Sequence, residues 1–526
     1  MIIRKYFFLF TLFVYVNLHA QSGFQRLITN GAQGKSMGTS SIQTADSSFV
    51  ICNSSFTSGG LHLIRMSNSG SILQEKSLGI PIGFSSNKMM QQTNDGGYII
   101  GNFNYLAKLD QNLNVLWSKS YNASGTFGSN AHSVLQTKEG NYLSVSDHYN
   151  GTRTELHLSR VGSNGTIIWS KIIADSNNIN IDPFHNMIAE NVIQTLDSGF
   201  VIVGSYRGFV TYESDDILLL KINSLGNLLW AKRIGGVGDE YAKSLIELEN
   251  GNIMLFGSTQ NFGSIEGSLF LMKLNNLGEI GWSYSYGGPD NDSPKDFVST
   301  SDGGFVMGAY SESFSTFSKY LLMRTDSTGN IRWSNTYGGY FSHAGNGNVL
   351  QTFDGGFLMN GYAVLDSNAI RYNTFLVKTD SLGNSGCSAQ QAVSLNKQDL
   401  FFGTFDLQLF EQPGFVLNTT AINLPNNSYQ ISDCLLTAIS NISQKEIHKI
   451  NILRNPFTTE TTIISDLFLT NAKLKIVNMI GQTVQEICNI NGTSITLYRN
   501  NLSSGLYFIK LYENNSLIAE NKVVIE

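Results

Sequence analysis

Residues 302–308 read Asp-Gly-Gly-Phe-Val-Met-Gly, residues 320–333 read Tyr-Leu-Leu-Met-Arg-Thr-Asp-Ser-Thr-Gly-Asn-Ile-Arg-Trp, and residues 337–339 read Tyr-Gly-Gly. A turn opens this phrase and an apolar strand follows. After a loop come a second apolar strand, a tight turn at Gly329 and a strand carrying Trp333. The opening turn recurs at Asp46, Asp95, Glu139, Asp197, Asn250, Asp302 and Asp354, with spacings of 49, 44, 58, 53, 52 and 52 residues. A repeat of this length with four strand signals is the size of one propeller blade. The Asp-Gly and Asn-Gly pairs supply the positive φ angles of a tight hairpin. Runs such as Ile217 to Ile222 are apolar but for Lys221, as expected of a strand buried on both faces. The fold class expected is all-β: a seven-bladed propeller followed by a C-terminal Ig-like β-sandwich.

All five tryptophans, Trp117, Trp169, Trp230, Trp282 and Trp333, occupy one slot in the repeat. Regular recurrence points to packing between neighbouring sheets, where an indole buries a large apolar area, and away from a ligand-stacking surface. The seventh copy has Cys387 where Trp should stand. The stretch from Gly23 to Ile28 reads like an outer strand with Phe24 in the missing slot. The N-terminal strand is therefore expected to complete the seventh blade and to leave no open sheet edge. The acid, Gly, Trp order of Asp326, Gly329 and Trp333 is loosely similar to the repeats of quinoprotein-like propellers. The acid-to-Gly spacing is shorter here, and that family's chemistry is not carried over.

The 526 residues include 51 glycines and 7 prolines, with 11% aromatic and 14% charged residues. Such a chain suits many tight turns and argues against helical bundles and disorder. A net charge of −6 with no Lys/Arg cluster gives no support to nucleic-acid binding. Residues 1–20 read as a secretory signal: Arg4 and Lys5, an apolar run from Tyr6 to Val16, then Ala20. No stretch is long enough for a transmembrane segment. Four cysteines remain in an exported chain, which can keep disulfides. Cys387 and Cys434 flank one segment and are the pair expected; Cys52 and Cys488 are expected to be buried thiols.

The domains expected are a signal peptide (1–20), the propeller (22–387), a stretch at 388–446 and a terminal domain (447–526). The stretch at 388–446 reads as a small β module, as extra edge strands on the propeller, or as an extended connector. In the terminal domain Asn455-Pro456-Phe457 is followed by strands around Ile463, Leu474 to Val477, Gly481-Gln482, Gly505 to Leu511 and Lys522 to Glu526. Together these motifs resemble the type A C-terminal sorting domain of the type IX secretion system of Bacteroidota. Leu453 and Arg454 stand where that family usually has an aromatic and a proline. The resemblance implies export, with the secretion machinery as partner and a secreted or outer-membrane surface location.

No nucleophile elbow, Walker loop or His-Glu-x-x-His motif is present, so no catalytic residue or cofactor cradle is assigned. The eight histidines, His343 among them, lack metal-ligand spacing. The loops that join one blade to the next carry Asp239 and Glu240, then Asp290 and Asp292. They share a face with loops of variable length, where function can sit without disturbing the scaffold. These four carboxylates are the candidate Ca²⁺ ligands; the competing reading is solvated turns. The function expected is a binding or adhesion scaffold for an extracellular glycan or protein ligand. The alternatives are an extracellular hydrolase, lyase or quinone-dependent enzyme at the channel mouth, and a structural surface protein.

Overall fold

The computed structural model describes residues 23–29, 36–55, 60–79, 88–102, 105–121, 131–151, 153–175, 186–207, 214–260, 267–338, 347–364, 372–413, 423–424, 430–433, 450–478, 483–513 and 516–526. The signal segment lies outside them. The chain forms two compact units, 1–438 and 439–526.

In the first unit each copy of the repeat becomes a four-stranded antiparallel meander. Its innermost strands are Ser36–Gln43, Met90–Gln92, Ala131–Gln136, Asn186–Gln194, Glu240–Glu247, Asp292–Ser299 and Val349–Gln351. Each packs against the next, and Val349–Gln351 packs against Ser36–Gln43, so the seven sheets close into a ring. The fourth strand of the seventh sheet is Phe24–Thr29, antiparallel to Tyr372–Thr379. Phe24 sits opposite Lys378, in the register that sets Trp117 opposite Lys108 and Trp333 opposite Arg324. Buried Gln25 ties this strand down, donating to Ser385 Oγ (2.9 Å) and accepting from Gly338 N (3.1 Å).

Three devices repeat around the ring, and each joins elements distant in sequence. At the opening turn, Thr93 Oγ1 (2.5 Å) and Gly97 N (3.1 Å) donate to Asp95 Oδ1, and Lys108 closes the set at 2.9 Å. The same turn acid meets a basic residue of the third strand in Asp46–Arg65, Glu139–Arg160, Asp197–Lys221, Asp302–Arg324 and Asp354–Lys378. At the foot of the inner strand, Gln136 donates to its own turn (Gly140 O, 3.3 Å) and accepts from the preceding one (Asn94 N, 2.7 Å). Gln43 accepts from Phe353 N at 2.7 Å, so this staple also crosses the closure. Between sheets, Trp117 Nε1 donates to Ser163 O at 2.9 Å in the next copy. A Cβ on Gly226 would come 2.8 Å from Trp169, and its φ of 79° independently favours glycine.

The described residues between Cys387 and Asp433 form edge strands of the ring rather than a separate module. Their strands Gln390–Ala392, Asn396–Asp399, Gly403–Asp406, Leu409–Pro413, Asn423–Leu424 and Gln430–Asp433 each add to an outer edge. They pair in turn with the sixth, fifth, fourth, third, first and seventh sheets. The chain thus runs back around the rim as a belt. Between belt strands, Val393 and Leu395, Leu400 and Phe402, then Leu407 and Leu409 pack into the clefts between neighbouring sheets. The step is seven residues, and backbone bonds pin it: Val393 N to Ser334 O, Leu400 N to Ser283 O and Leu407 N to Ala231 O. Belt strands cover backbone groups that would otherwise be open edges.

In the second unit all five strands join one antiparallel sheet built on the long strand Glu460–Val477. Where the sequence suggested an Ig-like sandwich, the hydrogen bonding is that of this single sheet, around a core including Ile463, Leu474, Ile509 and Val523. The motif residue Asn455 donates to Lys522 O (2.9 Å) and accepts from Val524 N (2.7 Å), which fixes it to the C-terminal strand.

Candidate functional site

Counting back from each opening turn locates equivalent residues of the inner strands, which run toward that turn around the ring's axis. Six positions before the acid stand Ser133, Asn191, Ser244, Asp296 and Asn348, and they form a polar layer. Ser133 Oγ donates to Asn191 Oδ1 (3.3 Å), Asn191 Nδ2 to Ser244 Oγ (3.3 Å) and Ser244 Oγ to Asp296 Oδ1 (2.7 Å). Asn348 bonds across the closure to Ser41 through N, Oγ and O contacts of 2.7–2.8 Å. Lys88, from the second copy, reaches fully buried Asp296 of the sixth at 2.9 Å. This ion pair is a bar across the channel.

On the turn side of the bar lies a cavity of about 480 Å³. Its wall is the ring of residues four before each acid: Ile42, Leu135, Ile193, Ile246, Val298 and Leu350, with Gln91 in the second copy. The exposed ring of Phe353 stands at its rim. Lys88 contributes to the lining and no carboxylate does. An apolar cup with a few polar groups at its base is the general form of a small-ligand site.

On the loop side, five inner strands carry an extra residue where the register slips: Thr39, His132, Glu190, Lys243 and Lys295. Such bulges re-aim side chains. Lys243 forms an ion pair with Glu190. Lys295 donates to Ser293 Oγ (3.3 Å) and lies 4.6 Å from the centre of the Tyr310 ring. Burial, and then the positive Lys243 beside it, push Lys295 down to about 7.

The four proposed calcium ligands are not gathered into one site. Buried Glu240 accepts from Gly236 N (2.8 Å) and Thr259 Oγ1 (2.9 Å). Buried Asp292 makes the equivalent bond to Gly288 N (2.8 Å) one copy later. Asp239 accepts from Asp215 N at 2.9 Å, and Asp290 N donates to Ser313 Oγ at 3.1 Å. Among the described residues no three His, Cys, Asp or Glu side chains form a metal-sized group. Glu240 and Asp292 serve their own turns and Asp239 holds the start of the strand Asp215–Ile222, while at Asp290 the backbone N–H is the engaged group. Asp292 is raised above the usual carboxylate range, because burial outweighs the hydrogen bonds it accepts.

Cys387 is disulfide-bonded, while Cys434 lies outside the described residues, directly after Asp433 of the last belt strand. Cys52 is a buried free thiol pushed up to about 12 by burial. Cys488, expected to be buried, is exposed and free; it sits on a strand whose alternate residues face solvent. His343 lies outside the described residues, and His62 and His157 are packed and pushed down to about 4 by burial. The axial residues themselves were missed. Their signal was a polar residue six positions before the turn in every copy but the second, which has Met89, with Asp296 as the odd member among Ser and Asn.

Residues 451–526 match the family described as the secretion system C-terminal sorting domain. No curated protein matches the chain. Similar solved structures include PorZ, a surface component of the type-IX secretion system of Porphyromonas gingivalis (10% identity, 91% of this chain and 58% of that one, TM-score 0.35). Others are puromycin hydrolase (10% identity, 83% of this chain and 59% of that one, TM-score 0.44) and a protein of unknown function from Dyadobacter fermentans (8% identity, 68% and 98%, TM-score 0.41). This chain thus spans less than three fifths of the first two. The sorting domain implies engagement with the type IX machinery and export to the cell surface or extracellular space. Among the described residues no helix is long and apolar enough to cross a membrane.

Proposed function

We propose that the chain is a type IX cargo that works outside the cell as a binding protein, with its ligand site in the axial cup on the turn face. The observation that carries this is the apolar ring: six aliphatic side chains from six copies converge on one solvent-facing cavity of about 480 Å³. Each of the six also packs against a core between two sheets, so it is their remaining apolar edges, with Val134 and Val192 beside them, that face the cavity. The ligand class is an apolar-bodied molecule, or a protein segment offering such a group, rather than a bare glycan. An array of extracellular proteins, peptides and glycans, probed with the exported chain and with Leu350→Glu, tests this. Binding lost in the variant supports the cup. Binding that survives both Leu350→Glu and Ile193→Glu contradicts it.

A second reading rests on Lys295. A lysine near half-protonation at neutral pH, flanked by Lys243 and Glu190, is the kind of group that serves as nucleophile or base. It favours an enzyme working from the loop side of the bar. Loss of any turnover in Lys295→Met with ligand binding intact would select it over pure binding.

A further inference from the structure

The cup has a cationic base, and this decides what its occupant carries. Three lysines, Lys88, Lys243 and Lys295, occupy the layer one residue toward the loop face from the polar ring. The carboxylates paired within this axial group are Glu190 and Asp296. Glu190 answers Lys243 and Asp296 answers Lys88, so the charge that the cavity itself presents is the Lys88 ammonium, with no carboxylate in the lining. Of the three, Lys88 lines the cavity itself, with its side chain 31% exposed. An ammonium has three donors, and one is used on Asp296. Asp296 does not depend on Lys88 alone, since Ser244 Oγ (2.7 Å) and Val349 N (3.3 Å) also donate to it. A second carboxylate can therefore approach Lys88 while Asp296 stays bonded. Above that point the wall is aliphatic in six of seven positions and carries no acid to repel an anion.

Resting on the reading that the cup is the ligand site, we infer that its occupant is a single-chain amphiphile whose carboxylate meets Lys88 and whose alkyl chain lies within the ring of Ile42, Leu135, Ile193, Ile246, Val298 and Leu350. Recognition then has two separable parts. The head group is chosen by charge-assisted hydrogen bonding in a partly desolvated site. The chain is held by apolar burial, which rises with each methylene until the cup is full.

The test is calorimetric titration of the exported chain with hexanoate, octanoate and decanoate, and with the alcohols and trimethylammonium ions of the same lengths. The expected result is tighter binding by about fourfold per added methylene, with the carboxylate at least tenfold tighter than the alcohol and the cation not bound. Lys88→Met should bring carboxylate down to the alcohol's level and leave the chain-length dependence intact, while Lys88→Arg keeps the preference. If Lys88→Met does not fold, Val298→Glu tests the same point at the half-buried wall: it should reverse the preference toward the alkylammonium ion. Equal binding of alcohol and carboxylate by the native chain overturns the anionic head and leaves the cup as the site. No binding of either, with array ligands still lost in Leu350→Glu, overturns the amphiphile alone. No binding of either and no effect of Leu350→Glu overturns both.

Discussion

The inner ring and the outer belt of the first unit are held in opposite ways. In the ring, side chains that recur in most copies make many of the joins: the turn acid with its lysine or arginine, the glutamine that spans two turns, and the indole against the next glycine. In the belt, backbone pairing does most of the joining, and its strand residues are largely exposed, as in Gly403–Asp406. Of the plugs between strands, Leu400 is buried and Val393 and Leu407 are half-buried. A structure joined by recurring side chains loses a little stability wherever one is removed. One joined by backbone pairing fails when its ends are released.

The largest effect should follow from opening the ring. Deleting residues 22–29 removes the fourth strand of the seventh sheet together with the Gln25 bonds, and the unit should lose its cooperative unfolding transition. The milder Leu27→Ala should cost about 2–5 kcal/mol by chemical denaturation, as a fully buried leucine in a packed core. Releasing the belt should cost less. Cys387→Ser, or reduction, should lower stability by about 2–4 kcal/mol. Protease should then cut first within 388–433 while the fragment 23–386 stays intact. Simultaneous loss of ring and belt would mean that the two are one cooperative unit.

A single staple is smaller again. Gln194 accepts from Lys138 N at 2.7 Å, so Gln194→Leu should cost about 1 kcal/mol. Exposed Gln391 in the belt, replaced by leucine, should change stability by less than that. The turn acids add a pH dependence. At Asp95 desolvation opposes ionisation, but the bonds from Thr93 and Lys108 outweigh it and hold the group at about 2; Asp197, with Lys221 and Thr195, behaves alike. Depressed values mean that the stabilisation is complete above the ordinary carboxylate range and is lost as pH falls from about 4 toward 2. Asp197→Asn should shallow that acid limb in a thermal-midpoint series. Their exposure keeps each contribution modest. Smallest of all, Ca²⁺ up to millimolar levels should leave the midpoint unchanged, because Glu240 and Asp292 already serve their turns.

This contrast also explains what was legible. The ring could be read because its devices repeat: the Asp-Gly-Gly turn, the Trp slot, and Phe24 in that slot at the closure. The partner of each turn acid was equally periodic, as a Lys or Arg near the end of each apolar third strand, but it becomes meaningful only once strand register brings it under the turn. The belt was legible only as one of three alternatives, extra edge strands beside a module or a connector, because backbone pairing leaves no side-chain pattern. Its one signal, apolar residues at 393, 400 and 407, is a seven-residue step that follows the distance between neighbouring sheets rather than a strand or helix period. The axial site lay one level deeper. Lys88 and Asp296 belong to different copies and break the repeat at their own positions, so their meeting follows only from closure of the ring.

Closure is therefore the claim on which the belt, the bar and the cup all depend. Cysteines placed at Arg26 and Leu376, which face each other across the closing strands, should cross-link on mild oxidation in a background lacking Cys52 and Cys488. Mass spectrometry should find the N-terminal peptide joined to the one containing residue 376. Failure of that pair to form, with Arg26→Cys instead trapped by a cysteine elsewhere on the unit, would contradict a ring sealed by its own first strand.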